Sequence, residues 1–186
     1  MPEYAIVLYF DEDTENRISQ MIHMLADTGL NGYMLKAGIR PHLTLALWQS
    51  EKEPDIAMPI RRFCDEMGST VLRFTSLGIF PGNESVLFLA AVKDEALKEL
   101  HKRLYALIGT DLGLFSPHYL PENWVPHCTL AMKLTEYEAG AAASYALAGF
   151  MDIGFPITAT LSEAELIKCE PMDGGLSCES QCSIDF

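Results

Sequence analysis

Basic residues are scarce in this chain: 13 Lys and Arg stand against 26 Asp and Glu, for a formal net charge of −13 over 186 residues. A long nucleic acid is held by a face that neutralises several phosphates at once, so a polynucleotide partner is disfavoured. A small anion is still admissible, because one local pocket suffices for it. Long apolar runs are missing too. The strongest, Tyr4 to Phe10 and Val86 to Val92, are strand-length, so no membrane partner is expected. Met1-Pro2-Glu3 lacks the basic segment and apolar core of a secretory leader, which makes a cytoplasmic location the expectation. The five cysteines (Cys64, Cys128, Cys169, Cys178 and Cys182) match no zinc spacing and read as mostly reduced thiols, in keeping with that location. HExxH and Walker-type phrases are absent, as is a carboxylate cluster at ligand spacing beside any motif described below. No metal and no cofactor is expected.

What is present is an ordinary globular composition, 49% hydrophobic and 21% charged. Its length suits one domain or two small lobes. Tyr4 to Phe10 reads as a buried strand. Asp11 to Thr14 supplies acidic caps for a helix over Thr14 to Ala26, with Ile18, Met21, Ile22 and Leu25 at helical spacing. Gly29, Gly32 and Gly38 mark a long loop. A strand over His42 to Trp48, a helix from Pro54 through Met67 ended by Gly68, and a strand over Phe74 to Phe80 follow. The second half repeats this order: a strand over Val86 to Val92, a helix over Asp94 to Ile108, and a strand from His127. A helix over Thr135 to Leu147 then opens on the capping box Thr135-x-x-Glu138. Extended segments over Ile157 to Leu161, Glu165 to Cys169 and Ser177 to Ile184 close the chain. The expectation is a single bilobal α+β domain over 1–186, a duplicated α/β architecture with repeats of approximately 1–82 and 83–186.

One phrase occurs once in each half. Pro41-His42-Leu43-Thr44-Leu45 returns as Pro126-His127-Cys128-Thr129-Leu130. Side chains alternate along a strand, so His42 and Thr44 share one face, as do His127 and Thr129. If two lobes pack symmetrically, two imidazoles and two hydroxyls converge on a cleft. One neutral imidazole can then take a proton while the other, protonated, gives one, and the threonines can hold the non-bridging oxygens of a phosphodiester. Histidine suits both roles because its ordinary pKa lies near neutrality. A single such phrase is more often structural. Two at corresponding places point to function.

Other candidates are weaker. Arg40, two residues before His42, can reach a phosphate, although such an arginine is more often a solvated loop residue. Tyr119 and Trp124, in the loop before the second phrase, can stack on a base, although anchoring is the simpler role for Trp124. Phe10 and Phe80 end strands expected to flank the cleft; each can offer a stacking face, and a core role suits either at least as well. His23 and His101 lie in helices without a following threonine and read as structural or surface residues. Cys128 alternates away from the cleft and is not a candidate nucleophile.

HLTL at His42 to Leu45 and HCTL at His127 to Leu130 resemble the paired His-x-Thr-x signature of the two-histidine (2H) phosphoesterase superfamily. That superfamily includes 2′-5′ RNA ligase-like proteins and cyclic nucleotide phosphodiesterases. Leu77-Gly78-Ile79-Phe80-Pro81 and the following strand are similar to the middle of these proteins. The resemblance implies antiparallel-rich sheets lining a central cleft, and metal-independent work on 2′,3′-cyclic phosphates or 2′-5′ linkages. The substrate expected is a small phosphodiester or short oligonucleotide. RNA ligation or tRNA processing is the alternative, which the acidic composition disfavours. A nucleotide-binding module without turnover is another, against which the intact motifs speak.

Overall fold

The computed structural model describes residues 1–30, 32–68, 70–172 and 175–186. The first strand, β1 (Glu3–Phe10), is apolar and buried from Tyr4 on because both its faces are covered. Tyr4, Ile6, Leu8 and Phe10 enter the main core. Ala5, Val7 and Tyr9 form a separate small cluster with Leu47 and Ile167 on the opposite face. That second face becomes the floor of the cleft.

Helix α1 (Glu12–Asp27) starts where the acidic run suggests. The Asp11 carboxylate accepts from the Thr14 amide at 3.0 Å and the Thr14 hydroxyl at 2.8 Å, and Ile18, Met21, Ile22 and Leu25 are buried. The segment expected to be loop contains a short helix, α2 (Gly32–Lys36), whose Met34 is 2% exposed in the core. Burial of that side chain, not local propensity, holds the turn, and Gly38 at φ +62° ends it. Strand β2 (Leu43–Gln49) and helix α3 (Ala57–Met67) follow. The helix begins three residues after Pro54 and stops at Gly68, which lies at φ +56°.

Strands β3 (Val71–Phe80) and β4 (Ser85–Ala91) form a hairpin, and α4 (Glu95–Ile108) is capped by Asp94. The loop beyond α4 contains a two-residue strand, β5 (Leu114–Phe115), and one 3₁₀ turn (Pro117–Tyr119). Next come β6 (His127–Leu134) and α5 (Glu136–Gly149), and both bonds of the Thr135–Glu138 capping box are made. The two extended segments near the C-terminus are one strand, β7 (Ile157–Met172), and β8 (Gly175–Asp185) pairs back onto it.

Every strand pairing is antiparallel, in the order β5-β2-β1-β7-β3-β4-β6, with β8 also on β7. This is an α+β fold. β7 is the shared member: its first residues pair with β3, and from Leu161 onward it pairs with β1. Reading it as two segments failed because the strand changes partner, not direction. The sheets also exchange strands between the sequence halves, since β3 joins β4 and β6 while β8 joins β7 and β1.

The cysteine expectation needs correction. Cys169 and Cys178 lie opposite each other on β7 and β8 and are disulfide-bonded, while Cys64, Cys128 and Cys182 are free. The pairing depends on β8 folding back, which spacing alone does not reveal. Cysteine usage therefore no longer speaks for a reducing compartment. Among the described residues no helix is long and apolar enough to cross a membrane.

Candidate active site

The two prolines explain how the histidines are held. Proline keeps the preceding residue extended and brings no N–H of its own. In both motifs this places the carbonyl of residue i−2 beside the imidazole. His42 Nδ1 lies 2.7 Å from the Arg40 carbonyl oxygen, and His127 Nδ1 lies 2.7 Å from that of Val125. A carbonyl can only accept, so Nδ1 carries the proton in both rings. Nε2 is left as the atom that exchanges protons, and one device serves both histidines.

Burial pushes the His42 imidazole below histidine's ordinary value. The Arg40 carbonyl opposes this, the His127 and Arg40 charges add to it, and Glu165 pulls the other way. Burial also lowers His127, against the pull of the Val125 carbonyl. Both rings therefore favour the neutral form until an anion arrives between them, and a bound phosphate raises either one.

A cavity of about 370 Å³ is lined by His42, Thr44, His127 and Thr129 together with Tyr9, Arg40, Tyr119 and Glu165. The four motif residues thus meet in one space. Thr44 is steadied from both ends: its carbonyl accepts from Trp124 Nε1 at 3.0 Å, and its hydroxyl shares a hydrogen bond with the Tyr119 phenol. Leu45, the next residue, gives its carbonyl to His101 Nε2 at 2.7 Å. The His101 ring stacks on Trp124 at 3.8 Å between centroids. These two buried side chains supply hydrogen bonds to the stretch of β2 that β5 does not reach. His101 and Trp124 are structural supports of the site.

The remaining expectations fare unevenly. Arg40 lines the cavity, but its guanidinium is bonded to Glu15 at 2.8 Å and Glu163 at 3.0 Å, and lies 3.8 Å above the Tyr9 ring. Two carboxylates already offset its charge. Phe80 meets the His127 ring edge-on at 4.9 Å, as a wall of that histidine. Phe10 offers no stacking face. It is 2% exposed and packs edge-on against Phe74, because the alternation of β1 turns it to the core.

Two neighbours, Phe88 and Tyr9, escaped the sequence reading, and a third, Cys128, has a contact it did not foresee. Phe88 stacks on Phe80 at 4.2 Å and stands 5.2 Å from His127. Its signal was Gly78, directly opposite on β3, where any Cβ would overlap the Phe88 ring. Tyr9 approaches His42 at 6.3 Å and donates its hydroxyl to Glu165 Oε2 at 2.6 Å. Burial and that carboxylate push the Tyr9 phenol well above tyrosine's ordinary value. Cys128 faces away from the cavity, as alternation requires, yet it ties the motifs together. Its sulfur accepts the His42 backbone N–H, and burial pushes its thiol up to about 12. Among the described residues no group of three or more His, Cys, Asp or Glu side chains is placed to hold a metal ion.

The sequence model of the 2′-5′ RNA ligase superfamily matches residues 11–170. The chain belongs to that superfamily. Solved structures share the fold at low identity. An Escherichia coli LigT complexed with 3′-AMP is 16% identical at a TM-score of 0.58, covering 100% of this chain and 99% of that one. A Thermus thermophilus protein is 14% identical at a TM-score of 0.62, covering 100% and 97%. A Bacillus licheniformis protein named as a candidate phosphoesterase is 30% identical over 103 residues, or 54% of this chain. The match spans 57% of that relative's length.

Proposed function

We propose that the protein is a metal-independent phosphodiesterase that opens a small cyclic phosphate of the 2′,3′-nucleotide type, or cleaves a 2′-5′ linkage, by two-histidine acid–base catalysis. The observation that carries this reading is the matched pair of Nδ1 anchors in one cavity. Each imidazole is fixed by the carbonyl two residues back, and each has a threonine of its own strand beside it.

The steps balance with water as the only co-reactant. One neutral imidazole takes a proton at Nε2 from water as its oxygen attacks phosphorus. The other, protonated, gives its Nε2 proton to the departing ribose oxygen as the phosphorus–oxygen bond breaks. Thr44 and Thr129 donate to the non-bridging oxygens as charge gathers there. The product is a phosphomonoester, and a second proton exchange with solvent resets the pair. Adoption of this fold by a LigT holding 3′-AMP supports a mononucleotide-sized occupant, since opening a 2′,3′-cyclic phosphate at O2′ leaves a 3′-phosphate.

The test is a screen of nucleoside 2′,3′-cyclic phosphates and 2′-5′ dinucleotides with EDTA present, comparing the wild type with His42→Ala. Turnover by the wild type that falls at least about a hundredfold in the variant is expected for loss of an acid–base group. Comparable turnover by both would remove the mechanism.

A further inference from the structure

The cavity continues past the phosphate site along the cleft face of β1 and β7, and its charges there have the wrong sign for a second phosphate. Arg40, the cation of the lining, is already neutralised by Glu15 and Glu163. Glu165 has no such partner. It accepts the Tyr9 hydroxyl, and among the described residues no lysine or arginine pairs with it; the nearby Lys168 is engaged with Glu170.

Register fixes where this carboxylate lies. Val7 is directly opposite Thr44 on one side and Glu165 on the other, so all three share the cleft face of neighbouring strands. Two strand spacings place Thr44 and Glu165 on the order of 10 Å apart along the sheet, a separation that a ribose with its base can bridge. The floor between and beyond them is apolar, built from Ala5, Val7, Leu47 and Ile167. Glu165 is also close enough for its charge to be felt at His42.

We infer that Glu165, oriented by Tyr9, is a specificity-determining residue that restricts this site to substrates whose only charge is the reacting phosphodiester. This rests on the function proposed above and names its substrate class. A neutral sugar or base lies on the apolar floor and donates a hydrogen bond to the free oxygen of Glu165. A further phosphate on the same nucleoside meets a half-buried carboxylate with no cation to offset it. The chain's overall charge of −13 acts in the same direction at longer range.

The experiment compares adenosine 2′,3′-cyclic phosphate with its 5′-phosphorylated form on the wild type, Glu165→Gln and Glu165→Lys. The wild type should favour the uncharged 5′-hydroxyl form by about tenfold or more in kcat/KM, as expected for one close like-charge contact. Glu165→Gln should bring the two within about threefold, and Glu165→Lys should reverse the order by placing an opposite charge there. The limb of the kcat/KM–pH profile that His42 sets should also move to lower pH in Glu165→Gln, because the carboxylate's upward pull on His42 is gone. Equal kcat/KM for the two substrates on the wild type would overturn the inference, as would a preference that persists unchanged in both variants. Turnover of neither substrate would count against the proposed activity instead. The charge rule is then read by calorimetry with 3′-AMP and adenosine 3′,5′-bisphosphate. A preference for the monophosphate that reverses in Glu165→Lys upholds it; equal binding of both, or of neither, overturns it.

Discussion

Gly78→Ala places one methyl group where it cannot fit. The glycine sits on β3 opposite Phe88 with no left-handed φ, so alanine is allowed by the backbone. By itself that change would favour folding by about 0.4–1 kcal/mol through the unfolded chain. The new Cβ, however, would overlap the Phe88 ring, which is 5% exposed and stacked on Phe80 at 4.2 Å. The ring cannot swing out freely. Overpacking of this kind costs roughly 1–3 kcal/mol, so the net expectation is destabilisation of about 1–2 kcal/mol. Because Phe88 and Phe80 wall the His127 ring, the displacement should also reach the imidazole. A shift on the order of 1 Å there lowers kcat by up to about a hundredfold. Urea unfolding gives the first quantity and turnover of a cyclic phosphate the second. Adding Phe88→Leu to the alanine variant should return part of the stability, by making room, but not the rate. A Gly78→Ala protein as stable and as active as the wild type would refute this view of the His127 pocket.

Other perturbations have equally definite outcomes. His101 is 1% exposed and its imidazole is pushed down to about 4, chiefly by burial, so the folded state resists protonation that the unfolded chain accepts. Stability should therefore be full above pH 6.5 and fall as pH drops towards 4, by roughly 3 kcal/mol; this window should vanish from urea midpoints in His101→Gln. Trp124→Phe leaves the Thr44 carbonyl without its indole partner, costing about 1–3 kcal/mol and lowering kcat through the displaced threonine. Asp11 accepts from the Thr14 and Thr160 amides, the second at 2.8 Å, so Asp11→Ala should lose both a helix cap and a tie to β7, about 1–3 kcal/mol in thermal or urea unfolding.

The parts of the molecule that were legible in the sequence are those whose cause is local. α1 and α5 announce themselves through Asp11 and the Thr135–Glu138 box, and the paired His-x-Thr phrases announce the site because strand alternation is a local rule. What was hidden depends on which strand lies next to which. β7 passes from β3 to β1, so its continuity follows from partners far away in the chain. Phe10 was left open between a stacking face and the core because β1 from Tyr4 on is apolar on both faces and gives alternation nothing to mark. The same ambiguity hid Tyr9, which lies on the cleft face. Neither a phosphate role nor a solvated loop position for Arg40 anticipates its carboxylate partners, because Glu163 is brought over only by the fold.

The central claim, that His42 and His127 act as one pair with Nδ1 anchored and Nε2 free, is tested most directly by nitrogen NMR of ¹⁵N-histidine-labelled protein. Spectra across pH, with and without 3′-AMP, report tautomer and ionisation for each ring. Both imidazoles should be neutral Nδ1–H tautomers near pH 7 in the free protein, ionising below histidine's ordinary value, and both ionisations should move upward when the phosphate binds. An Nε2–H tautomer in either ring, or a phosphate that shifts only one of them, would contradict the account.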